Sequence, residues 1–473
     1  MVNILGLELT KIMIADIGFW VLLGIVLTIF LKKKGKSVEG LSRDGWMFLW
    51  RTQFGVSAIT WFADKFGEVM RKMKWLIVGV GAVLMGTMVW MLGKTASIYL
   101  LHPEITQVIK APPIAPLIPY FPQLFGMKSF FPTFYITYFM IALAIVAISH
   151  EFSHGVFMRL FKIKIKSTGL IFLGPILGAF VEQSERSLKS KSKLNQMTVL
   201  GAGVFANILM ALLFYLLYVG FFFSSFAASG YVFNSYGVAA IPLDNVSGFE
   251  DIDGLKKVLT SDGNYYLDDG LASQLNVVGA EYLIAYVEAP AVLAGMKGAI
   301  IQADDVKILR LDDLRWFLEN KNPGDVVRFV TENVNGVDGI EEYDVMLGEH
   351  PEDSSKAYLG VGHNEANPRG VIQGLLAKFM GFKESSTYYK PTWNGDFVWF
   401  IYYFLWWIMI INLLVALFNM MPIGMLDGGR FFYLAILSVF GSEKLAKNAY
   451  KVATYLILFM FALMMFFWFV RVI

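Results

Sequence analysis

The sequence predicts an α-helical polytopic membrane protein with about six transmembrane helices and an inserted extracytoplasmic α+β domain. Of its 473 residues, 56% are hydrophobic and only 16% are charged, whereas a soluble globular chain carries roughly a quarter charged residues. The apolar residues form long blocks, and a stretch of ordinary polarity separates the fourth block from the fifth. We therefore expect an N-terminal membrane region at 1–133, a first core part at 134–229, an insert at 230–396 and a second core part at 397–473.

Six blocks are long enough to cross a bilayer, which takes about 20 mostly apolar residues. The first block is too long for the core of a signal peptide and lacks a small-residue cleavage site, so we expect a retained helix. The predicted spans are Ile12–Leu31, Trp75–Gly93, Phe134–Met158, Met197–Phe222, Phe397–Met421 and Val452–Val470.

The segment from Trp46 to Lys74 differs in composition from the predicted spans, because aromatic and basic residues are mixed in it. This composition suits a helix that lies in the membrane interface. A helix packed against the other spans is the alternative interpretation.

The distribution of Lys and Arg in short loops predicts the orientation in the cell membrane. The loop between the second and third spans has only Lys94, Lys110 and Lys128 and is rich in proline, whereas the loops after the first and third spans are strongly basic. We therefore expect both termini and the insert outside the cytoplasm, and the loop at 161–196 inside it.

Net charge and cysteine content narrow the classes of function. The formal net charge of +2 gives no indication of a nucleic-acid partner, and none is expected. The absence of cysteine excludes disulfides, thiolate metal ligands and a cysteine nucleophile.

Residues 279–350 of the insert have a recognisable order of elements. A strand and a short helix are predicted in "EYLIAYVEAPAVLAGMKG", followed by a helix, a turn at Pro323-Gly324-Asp325 and two more strands. This order resembles a PDZ domain, in which "SPAAKAGLKxGD" usually stands in place of "APAVLAGMKG", although the usual aspartate is missing here. PDZ domains bind extended peptides by adding them as a strand to a sheet edge.

The third span ends in "ISHEFSHG", where His150, Glu151 and His154 form an HExxH motif. Side chains four residues apart share one helix face, with Cβ atoms about 5–6 Å apart, so both imidazoles can reach one zinc ion. Glu151 can polarise a zinc-bound water. The motif also occurs by chance in soluble helices, but ionisable residues at the end of an apolar span are costly and are therefore candidates for function.

Zinc needs a third protein ligand, and the sequence offers three candidates. Glu182 and Glu185 have suitable spacing, but they lie in a basic loop where a solvated ion pair is the simpler explanation. Asp427 is favoured because it follows the apolar fifth span at membrane depth; an aspartate that only caps the next helix is the alternative. Residues that break a helix or allow close backbone approach surround it: Pro422, Gly424, Gly428 and Gly429.

Together these motifs resemble the signature of the site-2 protease family of intramembrane zinc metalloproteases, in the branch with a PDZ-like insert. That family combines HExxH at one span with N-x-x-P-x-x-x-L-D-G at a later span. The second motif is matched here at every defined position: Asn419, Pro422, Leu426, Asp427 and Gly428.

Two further segments are similar to the same family. Gly203 and Asn207 supply a G-x-x-x-N motif in the span after HExxH. The segment Gly169–Glu182 resembles the family's re-entrant hairpin, since Gly174-Pro175 and Gly178 interrupt its apolar runs in a way that fits two short strands. A plain cytoplasmic loop is the alternative.

The resemblance implies an enzyme that hydrolyses peptide bonds within or near the transmembrane helices of membrane proteins, with one Zn²⁺ per chain. It implies that His150, His154 and Asp427 bind the zinc and that Glu151 is the general base and acid. Residues of the other motifs would bind the substrate: Asn207, Gly203, Gly174, Pro175, Gly178, Asn419 and Pro422. The expected partners are transmembrane substrates, the lipid bilayer and an upstream protease of the site-1 type.

Two other classes of function were weighed. A non-catalytic membrane scaffold that binds partners through its PDZ-like domain would show a degenerate HExxH or a lost aspartate, and neither is seen. A transporter with a metal site at the midplane often shows internal repeats, and we detect no repeat in the sequence.

Overall fold

The computed structural model describes most of the chain. The described residues are 2–4, 7–9, 11–34, 38–101, 132–252, 255–261, 263–272, 281–333, 339–363, 374, 378–379 and 381–472. The proline-rich loop expected between the second and third spans lies outside them at 102–131, as do the first two residues of the PDZ-like segment, 279–280.

The predicted set of membrane helices is confirmed. In the described part of the chain the α-helices are α1 (Lys11–Lys34), α2 (Phe54–Lys72), α3 (Lys74–Leu101), α4 (Ile136–Leu160), α5 (Glu185–Lys189), α6 (Lys193–Ser225), α7 (Asp269–Ala272), α8 (Pro290–Leu293), α9 (Leu311–Glu319), α10 (Gly395–Asn419), α11 (Asp427–Phe440) and α12 (Glu443–Val472). Six of them are long and apolar enough to cross a membrane, namely α1, α3, α4, α6, α10 and α12. Each of the six overlaps one predicted span.

Contacts divide the chain into two compact units. The membrane unit comprises residues 1–221 and 399–473, and the insert unit comprises residues 222–398. The membrane unit contains the short strands β1 (Val2–Ile4) and β2 (Leu7–Leu9), and then β3 (Leu41–Asp44), β4 (Met47–Thr52), β5 (Ile165–Leu173) and β6 (Ile176–Gln183).

Within the membrane unit, α4 is held along its length by aromatic packing and by polar contacts at its start. The Tyr138 hydroxyl donates to the carbonyl oxygen of Phe400 at 3.0 Å, and the Trp407 indole donates to that of Thr133 at 3.2 Å, which tie α4 to α10. On the other side, the Thr137 hydroxyl donates to Asp16 of α1 at 2.5 Å. Polar pairs of this kind fix the register of helices that are otherwise apolar on every face.

A four-stranded antiparallel sheet, in the order β3-β4-β5-β6, lies beside α4. The expected hairpin is present as β5 and β6, and Gly174, with φ of +59°, makes the turn together with Pro175. The expectation that Gly178 interrupts the hairpin is wrong, because Gly178 pairs with Ile171 inside β6. Since β6 is the last strand in the order, one of its edges has no strand beside it within the described residues.

The segment from Trp46 to Lys74 is only partly the expected helix. Residues Met47–Thr52 form β4, which pairs with β5, and only Phe54–Lys72 form α2. Residues Met47–Thr52 are extended because they pair with β5, and no local sequence pattern in the segment predicts this pairing. The helical part packs on α4: a Cβ atom on Gly155 would lie 2.4 Å from Cδ1 of Ile59, and one on Gly67 would lie 2.8 Å from the Leu160 side chain. The alternative of a helix packed against a span therefore describes α2.

The loop between α10 and α11 is tightly folded. A Cβ atom on Gly428 would lie 2.3 Å from the carbonyl carbon of Met420, and one on Gly429 would lie 2.2 Å from the carbonyl oxygen of Ile423. Only glycine allows the first turn of α11 to pack so closely on the loop at 420–426. This packing fixes where Asp427, the first residue of α11, is placed.

The insert unit is rich in β-structure. Its described strands are β7 (Phe226–Val232), β8 (Ser235–Tyr236), β9 (Val238–Pro242), β10 (Val246–Ile252), β11 (Leu255–Thr260), β12 (Gly263–Leu267), β13 (Tyr282–Val287), β14 (Ala299–Ala303), β15 (Val306–Lys307), β16 (Val326–Glu332), β17 (Ile340–Met346), β18 (Gly348–His350), β19 (Asp353–Tyr358), β20 (Val361–Gly362) and β21 (Thr387–Pro391). One sheet has the order β10-β11-β12-β13-β9, and another has the order β17-β16-β14-β7-β21, with β15 paired to β14.

The strands and helices expected between 281 and 350 are present, but they do not belong to one sheet. The strand β13, which opens the PDZ-like segment, pairs with β9 on one side and with β12 on the other. The later strands β14, β16 and β17 pair with one another in the second sheet. The pairing with β9 covers residues 282–286 of β13, whereas the pairing with β12 covers only Tyr286 and Val287.

Candidate metal centre

The centre is built on α4, which carries His150 and His154 one turn apart. Both side chains are buried, and their Nε2 atoms lie 3.0 Å apart. Because the two residues are four positions apart, their imidazoles share one face of the helix. Together with Glu151 they form a group whose possible ligand atoms all lie within 4.8 Å of one another.

Asp427 joins the two histidines from a distant part of the chain. Its Oδ2 atom lies 3.1 Å from Nε2 of His150 and 3.2 Å from Nε2 of His154. The start of α11 is held by Arg430, whose guanidinium lies 3.1 Å from the carboxylate of Glu185. The favoured candidate for the third ligand is therefore the carboxylate that meets both imidazoles.

The donor set can be tested against a metal ion. Nδ1 of His154 lies 2.6 Å from the carbonyl oxygen of Val199, which can only accept, so Nδ1 donates and Nε2 of the neutral ring presents a lone pair. That lone pair lies close to a second imidazole nitrogen and to a carboxylate oxygen, an arrangement that suits a shared cation. Ligand atoms held tetrahedrally at about 2.0–2.1 Å from zinc lie about 3.3 Å apart, close to the 3.0–3.2 Å found here. The residues present fit a zinc ion.

Gly203 allows α6 to pass directly over the two imidazoles. A Cβ atom at this position would lie 2.6 Å from Nε2 of His150 and also 2.6 Å from Nε2 of His154. These are the nitrogen atoms that point to the centre, so any side chain here would occupy the position of the metal. The sequence predicts a substrate contact for Gly203, and the structure places the residue against the histidines.

Asn207 also contacts a histidine. Its side-chain amide lies 3.2 Å from Nδ1 of His150, and the residue is completely buried. A histidine that binds metal through Nε2 usually donates its Nδ1 proton to an acceptor. In this structure the amide nitrogen of Asn207 faces Nδ1, and the amide oxygen lies 3.5 Å from the hydroxyl of Ser149. Rotating the amide by 180° would let its oxygen accept the Nδ1 proton and leave Nε2 of His150 free for a metal.

Glu151 lies between the histidines and the hairpin. Its Oε2 atom accepts a hydrogen bond of 2.9 Å from the backbone N–H of Val181 in β6. A carboxylate beside a metal site can take and return protons, which is the role that HExxH motifs give to their glutamate. The hydrogen bond links this carboxylate to the strand edge that has no other strand beside it.

The other predicted site residues lie around this centre without meeting it. Gly174 and Pro175 form the tip of the hairpin, where a Cβ atom on Gly24 of α1 would lie 2.7 Å from Cδ of Pro175. Asn419 ends α10, and Pro422 lies buried in the loop that leads to Asp427. Their substrate contacts, like that of Gly178, stay predictions.

The two rival carboxylates have other partners. Glu182 accepts hydrogen bonds from Lys166 at 3.0 Å and from Ser167 at 3.1 Å, and these bonds lower the pKa of its carboxyl group. Glu185 pairs with Arg430. The solvated ion pair is therefore a sufficient explanation for Glu182, while Glu185 supports the helix that carries Asp427.

Sequence reasoning missed two backbone groups of the site. The carbonyl of Val199 fixes the tautomer of His154, and the N–H of Val181 binds Glu151. The sequence could not identify either group. Every residue has a backbone carbonyl and almost every residue has a backbone N–H, so the type of side chain does not indicate which of them takes part in the site. The link between Asn207 and His150 could have been inferred from the need of a ligating histidine for an acceptor.

Comparison with known proteins gives two findings. Residues 138–465 match the profile of peptidase family M50, which is more than half of the chain and includes both metal motifs. A segment of 74 residues is 42% identical to the uncharacterized protein MJ0971 of Methanocaldococcus jannaschii and covers 15% of this chain and 20% of that protein. The matched segment thus spans about a fifth of that relative's length.

We predict that Gly203→Ala abolishes metal binding while the protein still folds. The added methyl group would lie 2.6 Å from both Nε2 atoms, and the histidines could then no longer converge. Metal content of the purified variant, measured by atomic emission, should fall to the level of the chelator-treated protein. The matched control is Gly220→Ala on the same helix, where a methyl group meets nothing within 4 Å. Full metal content in Gly203→Ala would contradict the arrangement described here.

Proposed function

The chain belongs to peptidase family M50, and we propose that this membrane metalloprotease is a zinc enzyme of the site-2 type that hydrolyses peptide bonds within or next to the transmembrane helices of other proteins. One observation carries the proposal: His150, His154 and Asp427 present their ligand atoms within 3.2 Å of one another at the ends of apolar helices. Burying three such groups is costly unless they hold a cation.

Each residue of the centre would have a separate role in hydrolysis. A zinc ion held by His150, His154 and Asp427 would supply Lewis-acid chemistry, lowering the pKa of water and polarising a carbonyl group. Glu151 takes the proton from the attacking water and returns it to the leaving amine. Val199 and, in its accepting orientation, Asn207 hold the Nδ1 protons of His154 and His150, so that both Nε2 atoms stay available.

The open edge of β6 suits the backbone of an unwound substrate. A transmembrane helix hides its peptide bonds, and unwinding it in lipid leaves backbone groups unsatisfied at a cost of several kcal/mol each. A strand edge can bind those groups. Because the N–H of Val181 points away from β5 to Glu151, alternate residues of β6 face the open edge. The substrate backbone would then lie beside the general base.

We propose that both termini and the insert lie outside the cytoplasm and that the metal centre lies toward the cytoplasmic side. The lysine and arginine asymmetry of the loops supports this orientation. The partners would be transmembrane substrates in the lipid bilayer, shortened beforehand by a protease of the site-1 type.

The insert unit would act as a filter on substrates. Its bulk would exclude large ectodomains, and an edge strand of its PDZ-like segment would bind an extended tail; either use restricts access without taking part in the chemistry. A non-catalytic scaffold remains the alternative function, and it is the outcome expected if the chain binds membrane proteins without cleaving them.

The first prediction separates metal binding from catalysis. Wild-type protein should hold one zinc per chain, and Asp427→Ala should lose it together with activity, because a carboxylate ligand is removed. Glu151→Gln should keep the zinc and lower cleavage by about 10²–10⁴-fold, the usual contribution of a general base. Zinc content and cleavage of a panel of single-span substrates, measured on the same preparations, test whether Asp427 binds the metal and whether Glu151 acts in catalysis. Near-wild-type turnover in Glu151→Gln would remove Glu151 from the catalytic role.

The second prediction concerns orientation. The native chain has no cysteine, so a single introduced cysteine reports on its own position. In intact cells an impermeant maleimide should label Ser261→Cys in the insert unit and should label Ser190→Cys only after permeabilisation; both side chains are exposed. The opposite pattern would invert the topology.

The third prediction concerns the filter. The strands β7 and β21 pair with each other, and the N–H of Val232 donates to the carbonyl of Ser386 at 2.7 Å, so residues 233–385 can be replaced by a two-residue turn without stretching the chain. This deletion should keep zinc binding and cleave short substrates at least as fast as the full chain, while discrimination against large ectodomains falls.

The matched control for this deletion is the same protein with Glu151→Gln, which shows whether the remaining cleavage depends on the site. A deletion variant that holds zinc but cleaves no substrate of any length would show that the insert helps to assemble the active site.

A further inference from the structure

An apolar cavity of about 380 Å³ lies next to Glu151 within the membrane unit. Its floor is one face of the four-stranded sheet, where Thr168 pairs with Thr52 on one side and with Val181 on the other. Its walls come from α2 and α4, through Ala58 and Phe152 among others. Glu151 is part of the lining, so the cavity ends at the group that would act as general base.

The lining gives the cavity an apolar character. Apart from Glu151, its polar side chains are Thr52 and Thr168, and the hydroxyl of Thr168 already donates to the carbonyl of Thr52 at 2.8 Å. A charged side chain placed there would lose its hydration without gaining a matched partner, which is costly. The cavity therefore suits a large apolar side chain.

The register of the sheet connects the cavity to the open edge. The side chain of Thr168 faces α2, because a Cβ atom on Gly55 would lie 2.6 Å from its hydroxyl oxygen. Its partner Val181, and the pair Leu170 and Ala179 two residues along the strands, therefore lie on the same face. Side chains of a strand added beside β6 would alternate between the two faces of the sheet. Every second residue of such a strand points toward α2, and one of them meets the cavity beside Glu151.

The segment that closes the cavity lies outside the part of the chain that matches the family. Trp50 and Thr52 belong to β4, and Phe54 and Ala58 belong to α2, whereas the matched residues begin at 138. The side chain of Phe54 is 82% exposed. Ile59, which also lines the cavity, is buried against Gly155 of α4.

We propose that this cavity is a specificity pocket, formed by β4 and α2 of the N-terminal region, that takes one large apolar side chain of the substrate next to the cleaved bond. The inference rests on the proposed function, since it names a subsite of the same centre. It assigns to the N-terminal segment a part in choosing the cleavage site. Each methylene that fits or fails to fit such a pocket changes selectivity by about 10-fold or more.

Disulfide trapping tests the contact without relying on turnover. The chain without native cysteine is prepared as Glu151→Gln with Ala58→Cys, reconstituted in vesicles, and mixed with single-span model substrates that each carry one cysteine at successive positions. A disulfide needs Cβ atoms about 3.5–4.5 Å apart, so crosslinking should peak at one substrate position, with a weaker signal two residues away. The matched control is Ser57→Cys, an exposed neighbour on α2 that does not line the cavity. No crosslink at any position, or equal crosslinking in the control, overturns the proposal.

Cleavage preference supplies the second measurement. At the position that crosslinks, wild-type protein should prefer Phe, Leu or Met over Gly and Asp by at least about 10-fold. Ala58→Phe, which fills the cavity, should lose this preference, whereas Ser57→Phe should behave as wild type. An unchanged preference in Ala58→Phe overturns the pocket. Specific crosslinking without any zinc-dependent cleavage would instead sustain the pocket and refute the proteolytic function.

Discussion

The Nε2 atoms of two imidazoles and a carboxylate oxygen meet within 3.2 Å of one another in an apolar interior, and the arrangement around them follows from this constraint. In the tautomers that bind a metal, all three atoms are acceptors and repel one another unless a cation lies among them. The surroundings hold them together from several directions: the carbonyl of Val199 fixes the ring of His154, and Asn207 faces the ring of His150. Gly203 leaves the space between them free of side-chain atoms. The helix packing here keeps the two imidazoles and the carboxylate close together.

A second constraint is the need of backbone groups for partners in lipid. The sheet at β3-β4-β5-β6 meets it on both sides for β4 and β5, whereas β3 and β6 each pair with one strand within the described residues. At the open edge of β6, the N–H of Val181 is satisfied by Glu151. In the proposed function this edge would be the place where the backbone of an unwound chain is bound.

The sequence was sufficient where the signal is local and insufficient where it depends on a distant partner. The spacing of His150 and His154 and the apolar blocks predicted the two imidazoles and the six spans, because helix periodicity and span length are properties of short segments. Asp427 could be proposed from its position after an apolar span and from its match to a family motif. The strand Met47–Thr52 could not be foreseen, since its conformation comes from pairing with β5 more than 110 residues later. The role of Gly203 could not be predicted either. The clash that a side chain would cause at this position involves α4, and its position relative to α6 is known only from the folded structure.

The hydrogen bond between Val181 and Glu151 connects the two constraints. A substrate strand added to β6 brings a carbonyl oxygen to the edge at which the N–H of Val181 points, and one N–H cannot serve both this carbonyl and the carboxylate at full strength. Binding of a backbone at this edge would therefore weaken the bond that holds Oε2 of Glu151 in the resting protein. The carboxylate would become free to accept a proton when a peptide bond lies beside it. Without a substrate it stays engaged with β6, so the same edge that binds an unwound helix would also determine when the general base is available.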